Sequence, residues 1–130
     1  MKIWVSMNNP KRGEIWLVDL NPTRGQEIQK TRPVVIISSD FFNPIPLKII
    51  IPITSWQEKF SDRPFMVSID ANPENGLDRD SAGNVLQVRS LSTERFIRKL
   101  GQVSNETLQE LLSGLVICVD YEPTPWVYRP

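Results

Sequence analysis

Eleven prolines in 130 residues, most of them at the ends of apolar runs, cut this chain into segments too short for long helices. A fold built on such a sequence must use short strands and turns. Residues 13–20, GEIWLVDL, read as a first strand closed by the turn signal Asn21-Pro22. PVVIIS (33–38) is a continuous β-branched run and is expected to be a strand buried on both faces. LKIIIPIT (47–54) reads as a third strand, in which Pro52 predicts a bulge or an edge. FMVSID (65–70) and NVLQVRSL (84–91) complete five strands, joined by the turn-rich ANPENGLDRDSAG. Five short strands suggest a small barrel.

The periodicity then changes. Leu108, Leu111, Leu112, Leu115 and Val119 recur at helical spacing behind Ser104, an N-cap residue, with Glu106 in the first turn. One amphipathic helix is expected over about 105–120. The tail EPTPWVYRP is extended, and Trp126 and Tyr128 in it either pack back on the domain or reach a partner. The whole chain, 1–130, is expected to be one domain, with its core at 11–120 and 121–130 as a tail.

Fifteen basic and fifteen acidic residues cancel. Their distribution is uneven: residues 1–65 hold nine Lys/Arg against six Asp/Glu, and residues 66–130 hold six against nine. The lone cysteine, Cys118, has no partner for a disulfide within the chain and reads as a small buried hydrophobe, in keeping with a reducing cytoplasm. Neither a signal-like h-region nor a run of about 18 apolar residues is present, so the expectation is a soluble cytoplasmic protein away from membranes.

There is no histidine. That removes the usual neutral-pH base and the commonest metal ligand together. DRDSAGN (78–84) begins like a calcium loop, but Ala82 and Arg89 stand where ligands are needed, and a plain hairpin loop is the expectation. Zinc is excluded by the same inventory, so neither metal nor cofactor is expected. Ser38, Ser39 and Ser55 lack a base to activate them. Trp56 and Phe60, in the polar loop SWQEKFSDR, either stack on an unpaired base or pack under their own loop. Arg24, Glu27, Lys30 and Arg32 crowd the approach to the second strand, and with Thr54 at the end of the third they are the remaining polar candidates.

In order along the chain, KRGEIWLVDLNPTRGQEIQKTRPVVIISSD, IIPITS, GLDRDS and LQVRSLSTERFIRKLGQVS, followed by a helix, resemble the MazF/PemK (Kid) family of toxin–antitoxin toxins. The resemblance covers about residues 11–120. It implies a small SH3-like β-barrel with a C-terminal helix, a homodimer, a cognate antitoxin as partner, and metal-independent cleavage of single-stranded RNA at short sequences. The family motif Gly-x-Glu-x4-Arg-Pro is matched by Gly25, Glu27, Arg32 and Pro33, and Thr54 falls where the family has a threonine after its third strand.

The resemblance implies a catalytic set of Glu27, Arg32 and Thr54. Glu27 would be the base that takes the 2′-hydroxyl proton, Arg32 the bidentate stabiliser of the phosphate, and Thr54 a hydrogen-bonding group beside it. Arg24, Gln26, Lys30, Thr31, Ser55, Trp56 and Phe60 are the implied RNA-contacting residues, Arg24 and Lys30 holding flanking phosphates. DNA, which lacks the 2′-hydroxyl, would not be a substrate. A non-catalytic binding barrel and a gyrase-poisoning toxin of the CcdB kind are the alternatives; the chain closes on Tyr128-Arg129-Pro130 and not on that group's Trp-Gly-Ile.

Overall fold

The computed structural model describes residues 9–28 and 30–122. The tail with Trp126 and Tyr128 lies outside the described residues. Among the described residues seven strands and one α-helix follow in chain order: β1 (Glu14–Asp19), β2 (Thr31–Ile36), β3 (Leu47–Ser55), β4 (Met66–Ile69), β5 (Ser81–Asn84), β6 (Arg89–Ser92), β7 (Phe96–Gln102) and α1 (Asn105–Cys118). All the pairings are antiparallel, in the order β4-β5-β3-β2-β1-β7, with β6 alongside the first half of β3. The path is open, with β4 and β7 at its two ends.

β2 is buried on both faces, as its unbroken β-branched composition anticipates. Successive side chains of a strand point to opposite sides. Val35 and the following Ile37 enter one apolar cluster, whereas Val34 and Ile36 enter another. The first cluster also takes Ile15, Ile51 and Ile53 and is covered by Leu108 and Leu111 of α1. The second takes Val18, Leu20, Ile50 and Leu91, with Trp16 and Phe96 in edge contact at 5.9 Å closing its rim.

Pro52 makes no bulge, and the edge expected of it is a local one. Its register with β2 is continuous, Val34 opposite Pro52 and Val35 opposite Ile51, and β3 is a central strand. On its other side β3 pairs with β6 through residues 47–50 and with β5 through residues 53–55. Pro52 stands in the gap between those partners, where a residue without an N–H interrupts no ladder.

The segment NVLQVRSL is not one strand. Asn84 ends β5, and its Oδ1 accepts the Leu86 N–H at 3.2 Å, turning the chain into a short 3-10 segment, Val85–Gln87, before β6 starts. Ser81 to Gly83, expected to belong to a loop, form β5 with Asn84. β7 had no counterpart among the five expected strands.

Ser104 caps α1, its Oγ accepting the Thr107 N–H at 3.1 Å. Burying a leucine side chain contributes about 1.5–3 kcal/mol, and Leu108 and Leu111 are the two that α1 inserts deepest. The helix stops without glycine or proline. Asp120 adopts φ 55°, its N–H donates to the Ile117 carbonyl, and the Tyr121 N–H donates to the Val116 carbonyl. That is a Schellman closure, and aspartate tolerates the left-handed position better than most residues. Val119 therefore leaves the apolar stripe and is 62% exposed, and Cys118 is half-buried where full burial was expected.

Candidate functional site

The site is assembled from the β1–β2 loop, the C-terminal end of β3 and the loop before β5. Asn21 sets the base of the first loop. Its Oδ1 accepts the Lys30 N–H at 2.9 Å, while the Lys30 carbonyl accepts the Leu20 N–H at 3.1 Å, with Lys30 at φ 72°. Arg95, from just before β7, donates to the carbonyls of Asp19 and Asn21. The ends of the loop are thus fixed from two directions.

At the tip, Arg24 and Glu27 close on each other. The Glu27 carboxylate accepts the Arg24 N–H at 2.6 Å, and the Glu27 N–H donates to the Arg24 carbonyl at 3.1 Å. Arg24, Gln26, Glu27, Lys30 and Thr31 are all exposed. Ile28 is half-buried and packs against the second apolar cluster.

Arg32 and Thr54 meet in a groove of about 270 Å³, lined also by Pro33, Ser55, Asp78, Arg79 and Ser81. β-pairing explains the meeting. Arg32 lies opposite Val18 in β2, Val34 lies opposite Pro52, and two residues further along β3 Thr54 faces Ala82 and Ser55 faces Ser81. Arg32 and Thr54 are half-buried and Ser55 is exposed. Glu27 does not line this groove. Its carboxylate is held at the loop tip by the Arg24 N–H.

The far wall comes from the loop after β4, which is braced internally. Asn75 is buried; its Nδ2 donates to the Asp70 carbonyl at 2.8 Å, and its Oδ1 accepts the Leu77 N–H at 3.0 Å. Asp80 Oδ1 accepts the Ala71 N–H at 2.9 Å, and the Asp80 carbonyl accepts the Trp56 N–H at 3.0 Å. The wall is anchored to β3 at the point where the groove begins. Arg79 and Asp78 at its lip form an exposed pair at 3.4 Å, of little worth for stability. Arg32 from β2 and Arg79 from the wall both line the groove together with Thr54, Ser55, Ser81 and the acidic Asp78, and the Ser81 hydroxyl donates to the Arg79 carbonyl at 2.9 Å. Such a channel suits an anionic ligand with hydrogen-bond acceptors.

Of the two aromatic candidates, Phe60 is buried and takes the packing alternative, joining Met66 and Ala82 under the loop. Trp56 is half-buried and meets Phe60 edge-on at 5.7 Å. Among the described residues no group of three or more His, Cys, Asp or Glu side chains is placed to hold a metal ion. No helix among them is long and apolar enough to cross a membrane. Arg79 and Asp78 were not among the residues that single segments singled out for the site. Both stand in the stretch GLDRDS, whose order along the chain was the available signal.

A model of the PemK-like, MazF-like toxins of type II toxin–antitoxin systems matches residues 11–119. The chain is 37% identical over 116 residues to a Mycobacterium tuberculosis protein named endoribonuclease MazF9, covering 85% of this chain and 96% of that one. It is 35% identical over 104 residues to the Escherichia coli endoribonuclease PemK, covering 78% of each. Among solved structures, MazF from Deinococcus radiodurans superposes with a TM-score of 0.73 at 22% identity, over 86% of this chain and 97% of the other. A mycobacterial endoribonuclease in complex with its cognate antitoxin superposes at 0.69 with 18% identity, over 88% and 99%.

Proposed function

Since the chain belongs to the PemK-like, MazF-like family of type II toxin–antitoxin toxins, we propose that it is a cytoplasmic endoribonuclease cutting single-stranded RNA by attack of the substrate's own 2′-hydroxyl. The observation that carries this reading is the convergence of Arg32, Thr54 and Arg79 on one groove beside the loop that bears Glu27. RNA supplies the nucleophile, so the protein has to remove one proton and stabilise the charge that grows on the phosphate.

Glu27 is the base. It takes the 2′-hydroxyl proton as O2′ attacks phosphorus, a role worth about 10²–10⁴ in rate. The carboxylate reaches the substrate when the loop tip releases it from Arg24; unliganded sites commonly hold catalytic groups short of their working geometry. Arg32 places its planar fork on the non-bridging oxygens, with Thr54 donating a hydroxyl from the strand end. The departing 5′-oxygen takes up a proton from solvent water, and Arg32 stays a stabiliser of the phosphate throughout. Arg24 and Lys30 hold flanking phosphates, Gln26, Thr31 and Ser55 line the strand's path, and the half-buried Trp56, seated on Phe60, offers a ring for a base.

The open sheet and its helix fit the family's small SH3-like barrel, as one domain spanning 1–130 with a core at 11–120 and a tail at 121–130. Two copies pair so that one RNA strand can occupy the groove. An antitoxin with an extended acidic and apolar segment blocks that groove by resembling the polyanion. DNA is not cut.

The test is to incubate the purified protein with an unstructured RNA and map both ends of the products. Cleavage in excess EDTA, leaving a 2′,3′-cyclic phosphate and a 5′-hydroxyl, is the expected result. Replacing the single ribose before the cut by deoxyribose is expected to block it. Normal cutting of the deoxy-substituted strand, or arrest by EDTA, would overturn the mechanism.

A further inference from the structure

One side chain outside the proposed catalytic set touches the backbone on both sides of Glu27. Gln87 Nε2 donates to the Gln26 carbonyl at 2.9 Å, and Gln87 Oε1 accepts the Ile28 N–H at 3.2 Å. The two contacted groups belong to the residues flanking Glu27, and Gln87 is about sixty positions away in sequence. The amide therefore acts like one rung of a β-ladder laid across the loop. Only a primary amide carries a donor and an acceptor side by side in one plane. A carboxylate would present an acceptor to the Gln26 carbonyl, and an asparagine would fall one methylene short.

The clamp is anchored from below. Gln87 closes the 3-10 segment that Asn84 initiates, and Val85 at its start is fully buried against Leu108 and Leu111 of α1. The Val85 N–H also donates to the Phe65 carbonyl at 2.9 Å. On the loop side, Ile28 packs into the second cluster next to the clamped peptide. A rigid platform, an amide and a wedge thus converge on residues 26–28.

We propose that Gln87 is a positioning residue for Glu27, fixing the backbone from which the carboxylate swings to the 2′-hydroxyl. This rests on the assignment of Glu27 as base, and it adds a device that acts without touching RNA. The loop tip is free to open at the Arg24–Glu27 ring while the root of the Glu27 side chain stays in place. Misplacement of a catalytic group by about 1 Å can cost on the order of 100-fold in rate. Loss of the clamp is therefore expected to lower kcat and to leave KM, which depends on the cationic groups of the groove, nearly unchanged.

Four proteins test this on one RNA oligonucleotide: wild type, Gln87→Ala, Glu27→Ala and the double variant, with amide hydrogen exchange recorded for the first two. Gln87→Ala is expected to lose roughly tenfold to 100-fold in kcat with KM within about twofold. The Ile28 amide should exchange at least about tenfold faster while the α1 amides keep their protection. The double variant should be no slower than Glu27→Ala alone, since a residue that acts through Glu27 has nothing left to position. Slow cleavage by Glu27→Ala with wild-type cleavage by Gln87→Ala overturns the clamp alone. So does a double variant that loses both factors in full. Wild-type cleavage by Glu27→Ala overturns the assignment of the base, and the positioning role falls with it. If Gln87→Ala loosens α1 as well, Gln87→Asn takes its place, and the same kcat loss with α1 protected supports the proposal, whereas wild-type kcat overturns it.

Discussion

Glu27 and Arg24 bind each other through reciprocal hydrogen bonds, carboxylate to N–H at 2.6 Å and N–H to carbonyl at 3.1 Å. The proposed base is thus stored at the loop tip, in contact with a cationic residue that the RNA itself is expected to engage. Phosphate binding at Arg24 and release of Glu27 would then be one movement.

Glu27→Gln separates the two roles of this side chain. The amide oxygen can still accept the Arg24 N–H, so the loop tip and the thermal midpoint should be retained. Cleavage should fall by about 10²–10⁴, the usual worth of a positioned general base. Measured turnover equal to wild type would exclude the carboxylate as base.

Arg32→Ala removes the proposed phosphate stabiliser from a strand whose pairing with Val18 is made by backbone. A loss of about 10²–10³ in rate is expected, with an unchanged circular dichroism spectrum. Arg32→Lys should recover only part of it, because an ammonium lacks the planar fork. Full activity in the lysine variant would mean that charge alone suffices at this position.

Glu14 predicts a stability change in acid. Burial pushes its pKa up, but the Trp16 indole N–H, the Lys11 N–H and the Lys99 ammonium at 3.1 Å together outweigh burial and hold it below the usual 4.5. A folded-state pKa below the unfolded value gives stability that is fully present above about pH 5 and is lost as pH falls through the depressed value. Urea unfolding of wild type and Glu14→Gln should therefore differ most near neutrality and converge as the pH falls through the depressed value. A gap that stays constant over that range would show that the carboxylate's ionisation is not what matters.

Gly76 has φ 70°, and a Cβ there would stand 2.1 Å from the Leu100 carbonyl oxygen. Gly76→Ala should cost about 2 kcal/mol or more, since left-handed strain and a backbone clash add. Gly25→Ala has φ 58° with nothing within 4 Å of the new methyl, so only the strain, about 1 kcal/mol, applies. Equal losses in the two variants, measured by urea unfolding, would contradict this division.

What was legible in the sequence follows from where the physical signal lay. β2 announced its burial on both faces because Val34, Val35, Ile36 and Ile37 supply apolar groups to two clusters at once. α1 was legible from the spacing of its leucines and from Ser104, but its end was not, since a Schellman closure at Asp120 needs no glycine. β7 was missed because FIRKLGQ places Arg98 and Lys99 side by side and lacks the alternation of a half-buried strand. In the site, the Gly25 to Pro33 motif and Thr54 could be located from segments of the chain. Arg79 and Gln87 could not, because their roles depend on strand pairing and on packing against α1, which no local pattern encodes.

The two ends of the open strand path, β4 and β7, are guarded differently. β4 is only four residues long and offers little backbone to a visiting strand. β7 is seven residues long, but Arg98 and Lys99 project from its middle, and Lys99 is tethered there by Glu14. Charged side chains on a long border deter intermolecular strand addition. A second molecule meeting this protein border to border would have to bury those charges, so accidental fibril-like growth is disfavoured even at high concentration. The groove, lined from β2, β3 and the start of β5 and not from β7, is left as the place where an extended chain can settle.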